Sequence, residues 1–476
     1  MRRLGVDRVK VFVPWNTIAP DPSSRVRPRF DAGSPAAYPA SSWTTYDTIV
    51  RDATARGIAL YIAVGGAAPL WAAGTHPPPG SPYGGADWEP SAVQFGEFVR
   101  AVATRYSGHY TPPGASSPLP RVSFWSIWNE PNLGSADLAP QAIDDSTIET
   151  SPAIYRRIVD AAWSALQATG HGSDTILIGE LAPYGQTFGN SPGNFGEMVP
   201  LRFVRALYCV DVALHPLHGA AAAARGCPTT AAGSKQFASD NPGLFQATGF
   251  AVHPYPSGAV PPNVALVGEP DFVNLASLPN LEHLLDNVMS TYGSSKRFPF
   301  YVTEYGYFTN PPYPGGPPPA VAAADINWAE YIAWLNPRIR SWDQYLLVDP
   351  APGGPSKFVT GLEFANGTPK PSFAAYRMPI HLPVTRENGG SSLEVWGCVR
   401  PAHYAALDTG LPQRVAIELQ ARPDGAFEVV KTLTITDPNG YFDTDVRFRS
   451  GGVVRLAWSS PHGPTVFSRT VAITTG

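Results

Sequence analysis

Residues 122–134, VSFWSIWNEPNLG, are the part of this chain that most constrains its fold. The run of aromatic and β-branched residues before Asn129 is typical of a buried β-strand. Pro131 cannot donate a hydrogen bond to a sheet, so the strand has to end before it. The sequence therefore predicts a strand over 122–129 whose carboxyl end presents Asn129 and Glu130.

Similar apolar runs occur on both sides of this segment, and helical patterns separate them up to about residue 380. The predicted strands are 8–15, 58–65, 122–129, 175–179, 249–255, 300–304 and 344–349. The predicted helices are 42–55, 92–107, 152–169, 278–292 and 320–335. This alternation predicts a parallel sheet with helices outside it, and long Pro- and Gly-rich loops after the strands favour an α/β fold, a (β/α)8 TIM barrel.

The pattern changes after about residue 385. Short strands of alternating polarity follow one another there, separated by turn sequences such as DPNG and SGG. This pattern predicts an all-β module, an immunoglobulin-like sandwich. We therefore predict two domains, a barrel over 1–384 and a β-sandwich accessory domain over 385–476. For the second we favour a structural role, with a wall-binding module as the alternative.

Composition excludes several classes of protein. The 476 residues include 52 prolines and 45 glycines, and 43% of the residues are hydrophobic. Pro and Gly together stay below the roughly 25–30% that indicates disorder, so the chain can form a large core. A net charge of −4 argues against a nucleic-acid binder that works through bulk charge. No apolar run approaches the roughly 18 residues that a membrane span needs.

Two other predicted strands end in polar side chains. Residues 298–307, FPFYVTEYGY, place Glu304 at a strand end, and residues 249–258, GFAVHPYPSG, place His253 and Tyr255 at another. Two glutamates at the ends of different barrel strands form the pair that hydrolysis of a glycosidic bond requires. A tyrosine hydroxyl can keep a neighbouring carboxylate ionised. Taken singly, the first glutamate could instead cap a strand end, and the histidine could be structural.

The order Asn-Glu-Pro, His-x-Tyr and Thr-Glu-Tyr-Gly, within roughly residues 1–380, resembles the clan of retaining (β/α)8 glycoside hydrolases. It is most similar to the cellulase-like family 5 and the β-xylosidase-like family 39 groups. The resemblance implies that Glu130 follows the fourth barrel strand as acid/base and that Glu304 follows the seventh as nucleophile. It also implies that Asn129 binds a sugar hydroxyl and that His253 and Tyr255 of the sixth strand contact the substrate.

Other site residues follow from the same resemblance. Family 5 enzymes carry an arginine on the second strand near the nucleophile, and this chain has Lys10 there, so we expect Lys10 to take the cationic role. Trp15, Trp71 and Trp128 are candidates either for stacking on a sugar or for packing. Glu180 is a third carboxylate expected on the same rim, in a substrate-binding or structural role, with catalysis as the alternative.

One barrel strand is missing from the pattern. The resemblance requires three strands before Glu130, and the sequence supplies two, over 8–15 and 58–65. An open barrel exposes two unpaired edges, so we expect an upstream strand in the native protein, behind a signal peptide. The expected localisation is therefore secreted.

Cys209 and Cys227 lie in one loop-like insertion and predict a disulfide, with two reduced thiols as the alternative. A metal site that combines them with His215 and His218 matches no common zinc spacing, so no metal is expected. Cys398 is expected to be an unpaired core residue.

Together these observations predict a retaining glycoside hydrolase that cleaves O-glycosidic bonds, with β-linked substrates expected, in carbohydrate metabolism and polysaccharide degradation. Its partner is a carbohydrate; no cofactor, nucleic acid or membrane span is expected, and the protein is expected to be a monomer. Two alternatives stay open. One is a non-catalytic, carbohydrate-binding barrel, and the other is a transglycosidase that uses the same two carboxylates with a sugar acceptor.

Overall fold

The computed structural model describes residues 1–135, 137–186, 189–266, 268–354, 357–387 and 390–475. Its first part is one sheet of seven parallel strands that neighbour each other in chain order. The strands are β1 (Arg8–Pro14), β2 (Ala59–Gly65), β3 (Phe124–Ile127), β4 (Thr175–Leu181), β5 (Gly249–Val252), β6 (Phe300–Tyr305) and β7 (Ile339–Gln344). The helices are α1 (Trp15–Ile18), α2 (Ala40–Ala55), α3 (Ala92–Arg105), α4 (Ser151–Ala168), α5 (Pro200–Leu207), α6 (Gly219–Ala223), α7 (Ala231–Asp240), α8 (Pro242–Gln246), α9 (Leu278–Thr291), α10 (Pro319–Leu335) and α11 (Pro371–Arg377). Over these ranges no helix combines the length and the apolar character needed to cross a membrane.

The sheet is strongly curled. On β1, Val11 and Val13 are buried in the apolar core that the helices share with the sheet. Lys10 lies on the other face, because successive side chains of a strand alternate. Its Nζ reaches Oε1 of Glu304 on β6 at 3.0 Å, so the first and sixth strands must face each other across the interior. This curl brings the carboxyl ends of the strands to one rim, where barrel enzymes carry their sites.

The curled sheet is open between its two edge strands, β1 and β7. Among the described strands, β1 pairs with β2 alone and β7 with β6 alone. A cavity of about 1360 Å³ extends along the gap, lined by Arg8 and Lys10 on one side and by Ser341 and Asp343 on the other. All residues of β3 and β5 are buried, whereas β1 and β7 include exposed and half-buried positions. The described residues therefore form seven strands, where a closed (β/α)8 barrel has eight.

The prediction for the last of these strands was wrong in position. The sequence predicts it over 344–349, but β7 covers Ile339–Gln344, with the sequence IRSWDQ. An edge strand whose inner face borders a cavity can carry polar residues, so a hydrophobicity pattern does not reveal it. The apolar run that follows forms only an isolated bridge, between Val348 and Glu363.

The second part of the chain is an all-β domain with one helix. Its elements are β8 (Ile380–His381), β9 (Arg386–Glu387), β10 (Leu393–Cys398), α12 (Ala402–Thr409), β11 (Arg414–Gln420), β12 (Glu428–Thr434), β13 (Tyr441–Val446), β14 (Gly452–Trp458), β15 (Val466–Phe467) and β16 (Val471–Thr475). One sheet has the order β13-β10-β8 and the other β12-β11-β14-β16-β9, and a shared core with Val395, Ile417 and Val454 joins them. The predicted fold class, a TIM barrel short of one strand followed by an all-β domain, is confirmed. The first strand of this domain begins slightly before residue 385, where the sequence predicts the boundary.

A buried carboxylate joins the two parts. Glu330 of α10 is 3% exposed and accepts two hydrogen bonds from Arg400 Nη2, at 2.6 and 2.8 Å. It also accepts one from the hydroxyl of Tyr441 at 2.7 Å. A buried charge is stable only when it is paired and hydrogen-bonded, so this contact favours a fixed, structural attachment of the sandwich.

The predicted disulfide between Cys209 and Cys227 is present and closes a loop of 18 residues between α5 and α7. Cys398 is a buried free thiol, as predicted. Since both loop cysteines are consumed by the disulfide, the sulfur ligands of the alternative metal site are not available.

Replacing Cys209 and Cys227 together with alanine should lower the free energy of unfolding of the barrel by about 3 kcal/mol, because the unfolded chain regains the freedom of the loop. Urea unfolding followed by tryptophan fluorescence measures the change. The reduced wild type is the matched control and should unfold like the double variant. Equal stability of the oxidised wild type and the double variant would contradict this expectation.

Candidate active site

Glu130 and Glu304 meet at the carboxyl ends of β3 and β6. One oxygen of each carboxylate and one ring nitrogen of His253 all lie within 4.8 Å of one another. The two glutamate side chains are 13% and 12% exposed, so small molecules can reach both. The structure thus brings three of the sequence-predicted residues into one cluster at the rim.

The turn after β3 holds Glu130 in an unusual backbone conformation. Trp128 and Glu130 have φ values of 72° and 36°. Such conformations cost of order 1–3 kcal/mol each and persist only where neighbours enforce them. The N–H of Trp128 donates to the carbonyl of Val64 at 2.7 Å, and that of Glu130 donates to the carbonyl of Glu180 at 3.0 Å. Bonds to β2 and β4 therefore fix the direction of the Glu130 side chain.

Two hydrogen-bond donors and one nearby imidazolium surround the Glu304 carboxylate. Lys10 Nζ donates to Oε1 at 3.0 Å, and the Tyr255 hydroxyl donates to Oε2 at 3.0 Å. The Nδ1 atom of His253 lies 3.8 Å from Oε2. Burial alone would raise the pKa of Glu304, but the positive charges of His253 and Lys10 outweigh burial and hold that pKa below its ordinary value. Glu304 is therefore ionised at neutral pH, which is the form that a nucleophile needs.

His253 is fully buried between two carboxylates. Its Nδ1 donates to Glu130 Oε1 at 2.8 Å, and its Nε2 donates to Glu180 Oε2 at 2.6 Å. Burial lowers the pKa of His253, but the charge of Glu304 and the bonds to Glu130 and Glu180 outweigh it and raise the pKa to about 10. The ring is therefore an imidazolium at neutral pH and donates from both nitrogens.

A β-bulge turns Glu180 into the barrel. The pairing of β4 with β5 passes over one residue between Gly179 and Leu181, and this extra residue is Glu180, with φ 51°. A Cβ on Gly179, at φ 105°, would lie 2.6 Å from the Ala251 carbonyl oxygen, so glycine is required beside the bulge. Glu180 is fully buried, so the structural role expected for it fits and direct contact with a substrate does not.

The buried Glu180 carboxylate is the most heavily bonded group of the site. Its donors are Lys10 Nζ at 2.9 Å, Ser126 Oγ at 2.6 Å, His253 Nε2 at 2.6 Å, Thr303 Oγ1 at 2.8 Å and the hydroxyl of Tyr61. Burial raises its pKa, but the Lys10 and His253 charges outweigh burial and hold the pKa of Glu180 well below its ordinary value. Glu180 is therefore a permanent anion.

Asn129 contacts a residue that the sequence analysis missed. Its Nδ2 donates to Asp137 Oδ1 at 3.1 Å. Burial and the negative charge of Glu130 raise the pKa of Asp137 well above its usual range, which favours the neutral acid. Asp137 lies in the loop after β3, where no strand-end pattern marks it.

Aromatic residues form one side of the site. Tyr345 follows β7, and its pKa is raised to about 12 by burial and by the charge of Glu304. The Phe358 ring centroid lies 5.7 Å from that of Tyr345 and 5.9 Å from that of Tyr255. Tyr345 was missed because the strand before it was placed too late along the chain.

The tryptophan candidates lie elsewhere. Trp15 is fully buried and packs against Trp71, Phe95 and Phe98 at centroid distances of 5.6–6.0 Å. Trp71 is 9% exposed, and its indole donates to the carbonyl of Pro20. Trp128 is fully buried as well. The prediction that Trp15 and Trp71 bind substrate is therefore corrected, because both rings belong to the core on the helix side of the sheet.

Glu130, His253 and Glu304 also have the composition of a metal site. A histidine ligates metal through a free lone pair, however, and both nitrogens of His253 are held by carboxylates in the protonated form. The cluster is therefore better described as a network of alternating charges.

No family model matches the chain, and no curated protein matches it. Several solved structures are similar at low identity. A glucosidase from Croceicoccus marinus is 10% identical with a TM-score of 0.48, over 94% of this chain and 88% of that one. A hyperthermophilic β-glucosidase from Pyrococcus furiosus is 14% identical with a TM-score of 0.46, over 79% and 80%. A family 51 α-L-arabinofuranosidase from Bifidobacterium longum is 12% identical with a TM-score of 0.42, over 99% and 86%.

The charge on His253 predicts how stability depends on pH. A pKa raised from about 6.5 to about 10 on folding means that the folded state holds one more proton between these values. The contribution is complete below pH 6.5 and is lost as pH rises through 10. Between pH 7 and 9, the wild type should therefore lose about 1.4 kcal/mol of unfolding free energy per pH unit relative to His253→Gln.

Urea unfolding at pH 7, 8 and 9 measures this difference, and groups that titrate in both proteins cancel. Parallel pH profiles for the wild type and His253→Gln would contradict the charged histidine.

Proposed function

We propose that this protein is a retaining glycoside hydrolase. The observation that carries the proposal is the approach of Glu130 and Glu304 to within 4.8 Å at the strand ends. Retaining enzymes hold their two carboxyl groups about 5–5.5 Å apart, whereas inverting enzymes hold them about 6.5–9.5 Å apart to admit a water. The separation supports double displacement over a single inverting step.

The contacts support a distinct role for each glutamate. Glu304, kept ionised by the charges of His253 and Lys10, attacks the anomeric carbon as the glycosidic bond breaks. Glu130 gives its proton to the departing oxygen in the same step. In the second step Glu130 removes a proton from water, and that water displaces Glu304 from the sugar. The free sugar is released and both carboxyl groups return to their first state.

The substrate is proposed at the level of a chemical class. The resemblance to family 5 and family 39 enzymes supports a β-linked glycoside. Asn129 directly precedes the acid/base glutamate in the chain and can bind a sugar hydroxyl, and the half-buried Tyr345 lies close enough to Glu304 for that charge to raise its pKa. We assign the protein to carbohydrate breakdown outside the cell, because a disulfide is typical of an oxidising compartment.

Glu304→Ala should reduce hydrolysis of 4-nitrophenyl β-glycosides by roughly 10⁴-fold or more, because the nucleophile is removed. Sodium azide should restore turnover and give a glycosyl azide of inverted configuration. Glu130→Ala should lose less activity toward 2,4-dinitrophenyl glycosides, whose leaving group needs no proton, and azide should then give the retained configuration.

Glu97→Gln, on the exposed face of α3, is the matched control and should behave like the wild type. Full activity of Glu304→Ala would overturn the proposal. Binding of sugars by the wild type without any turnover would favour the carbohydrate-binding alternative.

A further inference from the structure

Glu180 is a buried anion for which the proposed reaction has no direct use. Its side chain is fully buried, so it cannot touch a substrate. A residue at this point of a regular strand would alternate away from the interior, and only the bulge directs Glu180 inward. Bulges next to active sites re-aim side chains, and the φ of 51° at Glu180 marks a conformation that a merely space-filling residue would avoid.

Two of the donors to Glu180 also contact the catalytic glutamates. Lys10 Nζ lies 2.9 Å from Glu180 and 3.0 Å from Glu304. His253 joins Glu180 at 2.6 Å to Glu130 at 2.8 Å. Glu180 therefore stands one cation away from each catalytic carboxylate, and its main-chain carbonyl also accepts from the N–H of Glu130.

The other three donors to Glu180 are neutral hydroxyl groups. Tyr61, Ser126 and Thr303 donate to it from β2, β3 and β6. Three neutral donors can hold the anion in a buried place without neutralising it. The Glu180 charge is thus available to act on Lys10 and His253.

The charges around the Glu180 carboxylate indicate the role of this anion. Lys10 and His253 are cations in this interior, and both lie against Glu180 and near Glu304. Without the Glu180 charge, Lys10 and His253 would each lose a contacting anion while staying largely buried. The surplus positive charge would then be relieved by loss of a proton from His253.

Other titratable groups face the same interior. Asp343 of β7 lies near Lys10 and Glu180, and burial raises its pKa to about 7. Tyr61 of β2 stays neutral, because burial and the charge of Glu180 raise its pKa well above the usual range. Asp137, beside Glu130, favours its neutral form. None of these three groups supplies a second fixed anion in contact with both cations.

We propose that Glu180 is a positioning residue, whose buried charge holds Lys10 and His253 as cations in place against Glu304 and Glu130. This inference rests on the proposed glycosidase function. It predicts that one residue out of reach of the substrate fixes the charged groups that contact both catalytic glutamates.

The experiment compares Glu180→Gln, which removes the charge but keeps the shape, with Glu180→Asp, which keeps the charge. Tyr61→Phe is the matched control, because it removes one donor to Glu180 and leaves the anion. The ¹⁵N signals of His253, identified by their loss in His253→Gln, report the protonation of the ring at pH 8. Hydrolysis of a 4-nitrophenyl β-glycoside is measured in parallel as kcat and KM, with circular dichroism to confirm folding.

In the wild type and in Tyr61→Phe both ring nitrogens of His253 should carry protons at pH 8. In Glu180→Gln the ring should be neutral, and kcat should fall by about 10²–10³-fold with little change in KM. Glu180→Asp should restore the imidazolium and part of kcat, and Tyr61→Phe should lose less than about 10-fold.

An imidazolium that persists in Glu180→Gln, or equal losses in Glu180→Gln and Tyr61→Phe, would overturn the inference. If Glu180→Gln does not fold, the ¹⁵N signals of His253 are followed in the wild type as the pH is raised. Loss of the ring proton near pH 6.5 would also overturn the inference. If the wild type shows no turnover, the proposed function is wrong. The ¹⁵N signals would still test whether the charge of Glu180 keeps His253 protonated.

Discussion

A single ammonium group, Lys10 Nζ, lies between the carboxylates of Glu180 and Glu304 and so ties β1 to β4 and β6. Buried charges are costly unless they are paired, and loss of one partner of such a pair typically costs about 3–5 kcal/mol. The paired charges therefore favour the curl of the sheet that brings these strands together. The same contact helps to keep Glu304 ionised, so the fold and the proposed chemistry depend on one interaction.

The strand ends of this fold were predictable from sequence, and with them the two catalytic candidates. Pro131 marks the end of β3 and therefore the place of Glu130. An apolar strand leading into Glu304 marks the second carboxylate in the same way. Because the ends of parallel strands meet at one rim, residues far apart in the chain could be predicted to lie together. The cationic position of Lys10 followed from its strand and from the family resemblance.

The features that the sequence did not reveal depend on how distant parts of the chain pair and pack, which a local pattern does not show. Regular alternation would point Glu180 outward, and a bulge, which one sequence does not announce, turns it inward. Strand β7 is polar because it is an edge strand, so the hydrophobicity pattern placed it too late in the chain. Tyr345 was missed because it then fell inside the predicted strand and not after its end. The burial of Trp15 depends on helix packing, and an indole suits a sugar or a core equally well.

The stereochemistry of the reaction tests the central claim most directly. A 4-nitrophenyl β-glycoside that the protein hydrolyses can be followed by ¹H NMR during the first minutes, before the released sugar mutarotates. Double displacement through Glu304 predicts that the β-anomer of the free sugar forms first. First formation of the α-anomer would show single inversion and would contradict the roles assigned to Glu130 and Glu304.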